Sequence, residues 1–297
     1  MNNNAWLQLV GLSVVWGASY FFIELMLVDL EPFTAMWIRF AVGLVGLIAI
    51  CIATGQSMSP IGSQAVDYAI TGLLISAAPF ALIAWGQQFI TGSLTSILMA
   101  LSPIVTMVVA QFLTTDERLT PQKIVGGALG FASVLILMVP DLANQSLSLL
   151  GQLAVLGATL CFAFGTIYAK RRQGTAPMVN ATGQVLFAVL WLTPLSLIME
   201  SPFATETFSS TTLWASLAIG LLSTTLGFVF FYNVLRSGGA SNVLLVSFLV
   251  PISASILGVV FLAEPLPMTS IAAYVTVLIA LLIIDGRVLK RFSAKTA

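Results

Sequence analysis

The chain has 297 residues, of which 59% are hydrophobic and only 7% charged, with no net charge and a mean hydropathy of +1.05. An ordinary soluble domain carries roughly 25% charged residues, so this much apolar surface needs lipid as its solvent, and there is no basic patch for nucleic acid. There is no histidine, which removes every catalytic or metal site built on imidazole; no metal, cofactor or catalytic residue is expected.

Ten apolar segments follow one another, each of about 18 to 24 residues, the length that spans a bilayer as a helix. They run over 6–27, 33–53, 68–90, 93–113, 121–139, 148–169, 177–199, 212–234, 239–262 and 267–286. The longest connections, around 54–67 and 200–211, leave no room for a soluble domain. Residues 1–5 lack the positive charge of a secretory leader, so the first segment reads as a permanent span. The two cysteines, Cys51 and Cys161, lie inside apolar segments, and buried thiols are expected there rather than a disulfide.

The first segment carries Trp16, Tyr20 and Glu24, and the second carries Arg39 about two turns in. Ionisable groups in hydrocarbon are costly and mark functional positions. Glu24 and Arg39 sit at similar depth across a short loop. A structural or gating ion pair between them is the favoured reading, beside contact of Arg39 with a substrate carboxylate and proton coupling through Glu24. The third segment brings Trp85, Gln87 and Gln88. The fourth and ninth carry Pro103 and Pro251 near their middles, each removing an amide donor and freeing the carbonyl four residues earlier, on Met99 and Ser247. Such a carbonyl finds a neighbouring helix or lines a wet cavity; equivalent bends in two halves favour a hinge or gate.

Thr120 and Pro121 read as the N-cap and first residue of the fifth helix. Gly126 and Gly130, four apart, permit close helix packing. Packing within the chain is favoured over a homodimer, because the motif is not repeated at Tyr274 and Leu278. The sixth segment offers Phe164 and Tyr168, the seventh Asn180, Gln184 and Trp191, the eighth Tyr232, Asn233 and Arg236, and the ninth Ser241, Asn242 and Ser247. Trp16, Tyr20, Trp85, Gln88, Tyr168, Gln184, Tyr232, Asn233 and Ser247 are the candidate substrate contacts, and Glu24, Arg39, Pro103 and Pro251 the candidate gating groups. Amides, hydroxyls and aromatic faces suit a zwitterion or an amphipathic aromatic ligand, whereas a phosphate calls for clustered cations. The alternatives are helix-to-helix glue and interfacial aromatic belts.

The halves match each other at an offset of 148 residues: Leu12 with Leu160, Gly17 with Gly165, Tyr20 with Tyr168, Gly72 with Gly220, Phe80 with Phe228, Ser93 with Ser241 and Pro103 with Pro251. After a one-residue slip Glu117 meets Glu264. Placing the amino terminus in the cytoplasm puts Arg118, Lys123, Lys170, Arg171, Arg172, Arg236, Arg287, Lys290, Arg291 and Lys295 on that side, and Asp29, Glu31, Asp141, Glu200, Glu206 and Glu264 on the other. Five spans per half then make the second repeat inverted, the geometry of alternating access. The expected units are 1–143 and 144–297, all-α, with both termini cytoplasmic.

The stretch from Trp16 to Phe21 resembles the first-helix signature of the EamA-type transporters in the drug/metabolite transporter superfamily. Arg39 early in the second helix resembles it too, as does the block from Ser93 to Leu137 containing Ala100 to Pro103, Asp116 to Thr120 and Gly126 to Gly130. Its echo is Phe248 to Pro251 with Ala263 to Leu266. The resemblance implies ten helices, a cavity lined by helices one to four and six to nine, helices five and ten at the periphery, and a bacterial inner-membrane setting. Phe164 and Gly165 replace Trp-Gly in the second half, and Phe187 stands where Arg39 does, so a site built there is asymmetric. The expectation is an exporter of amino acids or related small metabolites, with a broad exporter of amphipathic drugs or dyes as the alternative.

Overall fold

A computed structural model describes residues 3–113, 120–143, 148–170, 176–200, 208–238 and 246–285; within these helices the side chains of some residues, Tyr232, Arg236 and Ser247 among them, lie outside the described part. Among the described residues there are helices and no strand. They are α1 (Asn3–Met26), α2 (Pro32–Ala53), α3 (Ser59–Ser63), α4 (Ala65–Thr71), α5 (Ala78–Gly86), α6 (Gly92–Met99), α7 (Ser102–Leu113) and α8 (Pro121–Ala143). Then follow α9 (Ser148–Lys170), α10 (Pro177–Met199), α11 (Ser210–Ala218), α12 (Gly227–Gly238), α13 (Val246–Leu262) and α14 (Met268–Asp285). π-Helical segments, Gly72–Ala77 and Ile219–Leu226, join α4 to α5 and α11 to α12. Seven helical stretches among these residues are long and apolar enough to cross a membrane, and Ile124–Leu137, Leu249–Leu262 and Met268–Ile283 are shorter apolar helices. The chain is an integral membrane protein.

Prolines set several starts. Pro32 and Pro177 each open a helix after an extended residue, Glu31 and Ala176, where a missing N–H costs nothing. α8 likewise begins at Pro121. The fourth segment differs from the expectation of one kinked helix, because it breaks at Ala100 and Leu101 and restarts at Ser102. The Met99 carbonyl freed by Pro103 does not reach a neighbouring helix; the Ser102 hydroxyl donates to it at 2.7 Å. Pro251, by contrast, is buried inside an unbroken α13. The two equivalent prolines therefore have different local consequences.

α1 packs on α12 and α13, and α9 on α5 and α7. The first π segment packs on α10 and the second on α2, while α8 and α14 pack on each other. Gly130 of α8 faces Ile104 of α7 and Leu101 just before it, and an added Cβ would stand 2.6 Å from Ile104 Cδ1. Buried apolar side chains of α1, α2, α5 and α10, including Ile23, Phe40, Ile83 and Leu192, form the principal core. Leu190, Leu197 and Ile198 of α10 and Val260 and Phe261 of α13 are exposed, as lipid-facing positions require.

Unpaired amides at helix starts cannot be left to lipid, and acidic residues from other helices satisfy them at one end of the bundle. Glu200 after α10 accepts from the Phe33 and Thr34 amides of α2 at 2.8 and 2.7 Å. Asp29 accepts from the Ser209 amide at 2.9 Å and from the Thr212 hydroxyl at 2.6 Å, at the start of α11. The opposite end has Tyr168 donating to Asp67 at 2.6 Å and Tyr68 donating to Asn180 at 2.8 Å.

Candidate functional site

The second helix carries Arg39 into the middle of the assembly, where it is 3% exposed. Its guanidinium lies over the Phe80 ring of α5, 4.2 Å from the centroid, and 5.6 Å from that of Phe40. Nε donates to Thr224 Oγ1 of the second π segment at 3.3 Å, and Nη2 lies 3.5 Å from Ser19 Oγ of α1. Nη1 is buried without an acceptor. Cation–π contact offsets about 2 kcal/mol when desolvated, whereas an unpaired buried ion costs several kcal/mol. The arrangement is thus short of one anion.

Glu24 is not that anion. Its carboxylate accepts from the Gly92 amide at the start of α6, and its other neighbours are Gln87 and Glu264. The expected pairing of Glu24 with Arg39 is replaced by two separate environments: equal depth did not bring them together, because α6 and the turn after α13 insert at Glu24 while α5 and the second π segment surround Arg39.

The other candidates divide among these places. Tyr20 sits next to Arg39, and its carbonyl accepts from Gln87 Nε2 at 3.0 Å. Trp16 stacks on Phe231 of α12 with centroids 5.7 Å apart. Gln184 donates to Ser76 of the first π segment at 2.8 Å, across the two halves of the chain. Trp85 packs edge-on to Phe89 at 4.8 Å, and Gln88 is exposed beside it, lining a cleft of ≈ 700 Å³ with Glu24, Thr91 and Pro265. Tyr168 belongs to the opposite end, on Asp67. Asn233 is half-buried on α12. The side chains of Tyr232 and Ser247 lie outside the described residues, as do Glu117 and the basic residues used for orientation.

Sequence reading missed Ser19, Phe80 and Thr224 as partners of Arg39. Phe80 was visible only as a repeat position, and the Ser223, Thr224, Thr225 run was visible as hydroxyls inside an apolar span. Glu264 was visible as the repeat mate of Glu117, without its destination.

The EamA-like transporter family matches this chain twice, over residues 4–139 and 149–285. Among curated relatives, "Uncharacterized transporter YoaV" of Bacillus subtilis (strain 168) is 26% identical over 255 residues, 85% of this chain and 86% of that protein. "Protein PecM" of Dickeya dadantii (strain 3937) is 24% identical over 274 residues, 91% and 89% of the two chains. A solved crystal structure shares the fold with a TM-score of 0.69 at 17% identity, covering 98% of this chain and all of the other. A chain with these spans and these relatives is a membrane transporter rather than an enzyme, and it belongs to the EamA-like transporter family.

Proposed function

We propose that the protein exports amino acids or related small metabolites from the bacterial cytoplasm, by alternating access between two inverted five-helix repeats, 1–143 and 144–297. The observation that carries the substrate class is Arg39. A buried guanidinium with one free nitrogen, ringed by Phe80, Phe40 and the hydroxyls of Ser19 and Thr224, offers a carboxylate a charged partner and its side chain an aromatic floor. The same buried positive charge opposes cationic amphipathic drugs, the rival class.

The inverted repeat is supported by more than the 148-residue offset. The π segments begin at equivalent places, Gly72 near one start and Gly220 near the other. Exchange of the two halves also maps the contacts onto each other: α1 with α12 and α13 corresponds to α9 with α5 and α7. Each π segment packs on the second long helix of the opposite half. Two such halves provide two gates of opposite facing; the distribution of lysine and arginine supports cytoplasmic termini, and the family resemblance supports an inner-membrane setting.

The test is uptake of labelled neutral amino acids into liposomes containing the purified protein, against cationic aromatic dyes. Saturable amino-acid uptake that falls at least about tenfold in Arg39→Gln is expected, since losing a charged hydrogen bond costs about 1.5–3 kcal/mol. Transport of the dyes with no amino-acid uptake would overturn the substrate class.

A further inference from the structure

The start of α6 differs from the other helix starts at its end of the bundle. At α2 one carboxylate, Glu200, serves two amides. At α6 two carboxylates converge: Glu24 of α1 on the Gly92 amide, and Glu264 Oε2 on the Ser93 amide at 3.0 Å. The two carboxyl groups stand within hydrogen-bonding reach of each other. A helix N-terminus carries about half a positive charge, which suits one carboxylate and not two.

Glu264 is carried inward by an unusual turn. Ala263 takes a left-handed φ of 52°, and the Glu264 amide closes onto the Gly258 carbonyl at 3.1 Å. Gly258 leaves the space that the carboxyl occupies, for a Cβ there would stand 2.5 Å from Glu264 Cδ. Glu264 is 7% exposed, and its Oε1 meets no donor. Ser93 Oγ and Gln87 Oε1, buried around the same point, are also without partners. An acceptor oxygen buried beside a second carboxylate is repelled twice, by desolvation and by like charge. A hydrogen placed between the two groups removes both penalties.

We propose that Glu24 and Glu264 together bind one proton, shared between their carboxyl groups, and that it clamps the two halves of the chain at this end of the bundle. The proton comes from water in the cleft that Glu24 lines with Gln88, Thr91 and Pro265, forms an O–H bond on one carboxylate, and returns to that water. Nothing is oxidised or reduced. The groups facing the pair are otherwise neutral among the described residues: Tyr20 of α1 through its carbonyl, Gln87 after α5, and Ser93 of α6. Ser148 of α9 and Ser270 of α14, which line the cleft, are neutral too. Arg39 of α2 is engaged at Phe80, Thr224 and Ser19, and Asp29 and Glu200 are held at other helix starts. Opening this end separates the carboxylates and releases the proton, so acid favours the closed end. That coupling rests on the proposed alternating access; the proton site itself does not.

Infrared titration of the purified protein in lipid nanodiscs tests the site without any substrate. At neutral pH the wild type is expected to show a protonated-carboxyl stretch, shifted in heavy water, with the intensity of one group. Glu24→Gln and Glu264→Gln each abolish it, and Glu264→Asp, one methylene shorter, weakens it while keeping the charge. Exchanging sodium for choline leaves it unchanged. Absence of the band in the wild type overturns the proposal, as does its persistence in both glutamine variants. Its removal by sodium overturns it in favour of a cation site built from the same oxygens. Should the glutamine variants fail to fold, the aspartate variant decides. Amino-acid uptake is measured separately, so an intact band without uptake sinks the transport reading alone.

Discussion

Asp29, Glu200, Glu24 and Glu264 act alike, each giving an acceptor to the amides of a helix start that belongs to another segment of the chain. In water such amides would be solvated; in lipid and protein they need a built partner. Asp29 shows the pH consequence. Hydrogen bonds from the Ser209 hydroxyl, the Thr212 hydroxyl and the Ser209 amide hold its carboxyl below the usual carboxylate range. The folded value lies under the unfolded one, so the contact's stabilisation is fully present above that range and disappears as the pH falls through the folded value. Asp29→Asn is expected to lower the thermal unfolding midpoint at neutral pH and to show a smaller loss on acidification than the wild type. An unchanged acid limb in the variant would show that the Asp29 contact does not contribute to it.

At the scale of elements, the two π segments widen the helix where it meets its partner in the opposite half. Thr224 and Thr225 hydroxyls reach carbonyls five residues earlier, on Ile219 and Gly220, at 3.4 and 3.2 Å, satisfying groups that the wide turn loosens. Close backbone approach accompanies this geometry. A Cβ on Gly72 would stand 2.7 Å from the Gln184 carbonyl of α10, and one on Gly220 would stand 2.5 Å from Val42 of α2. Lipid supplies no hydrophobic drive between helices, so small residues at the seam carry the packing. Gly72→Ala meets backbone rather than a movable side chain, and a loss of about 1–3 kcal/mol is expected, measured by thermal unfolding in detergent. A neutral result would mean that the α10 contact yields without cost.

Over the whole molecule, the carboxylate contacts named above sort into two ends among the described residues. Asp29 with Ser209, Glu200 with Phe33 and Glu264 with Ser93 lie at one; Asp67 with Tyr168 lies at the other. In the topology proposed from the positive-inside rule, the first is the outer end. A green fluorescent protein fused to the carboxyl terminus is therefore expected to fluoresce, and alkaline phosphatase fused there to stay inactive. The reverse pattern would invert the topology and the facing of the Glu24 site. The sequence alone determined the solvent of this protein, its apolar spans, its internal match and its family resemblance, because composition and segment length answer directly to the energy of burying a chain in lipid. It also singled out Arg39 and Glu24 as expensive groups. Only the tertiary structure decided whom they meet. Arg39 finds Phe80 and Thr224, and Glu24 finds Gly92 and Glu264, residues 41 to 240 positions away. Those pairings depend on which helix faces turn toward each other, and on a left-handed residue at Ala263 that returns Glu264 to the interior. Hydropathy, which is blind to helix rotation and to turn geometry, carries no record of either.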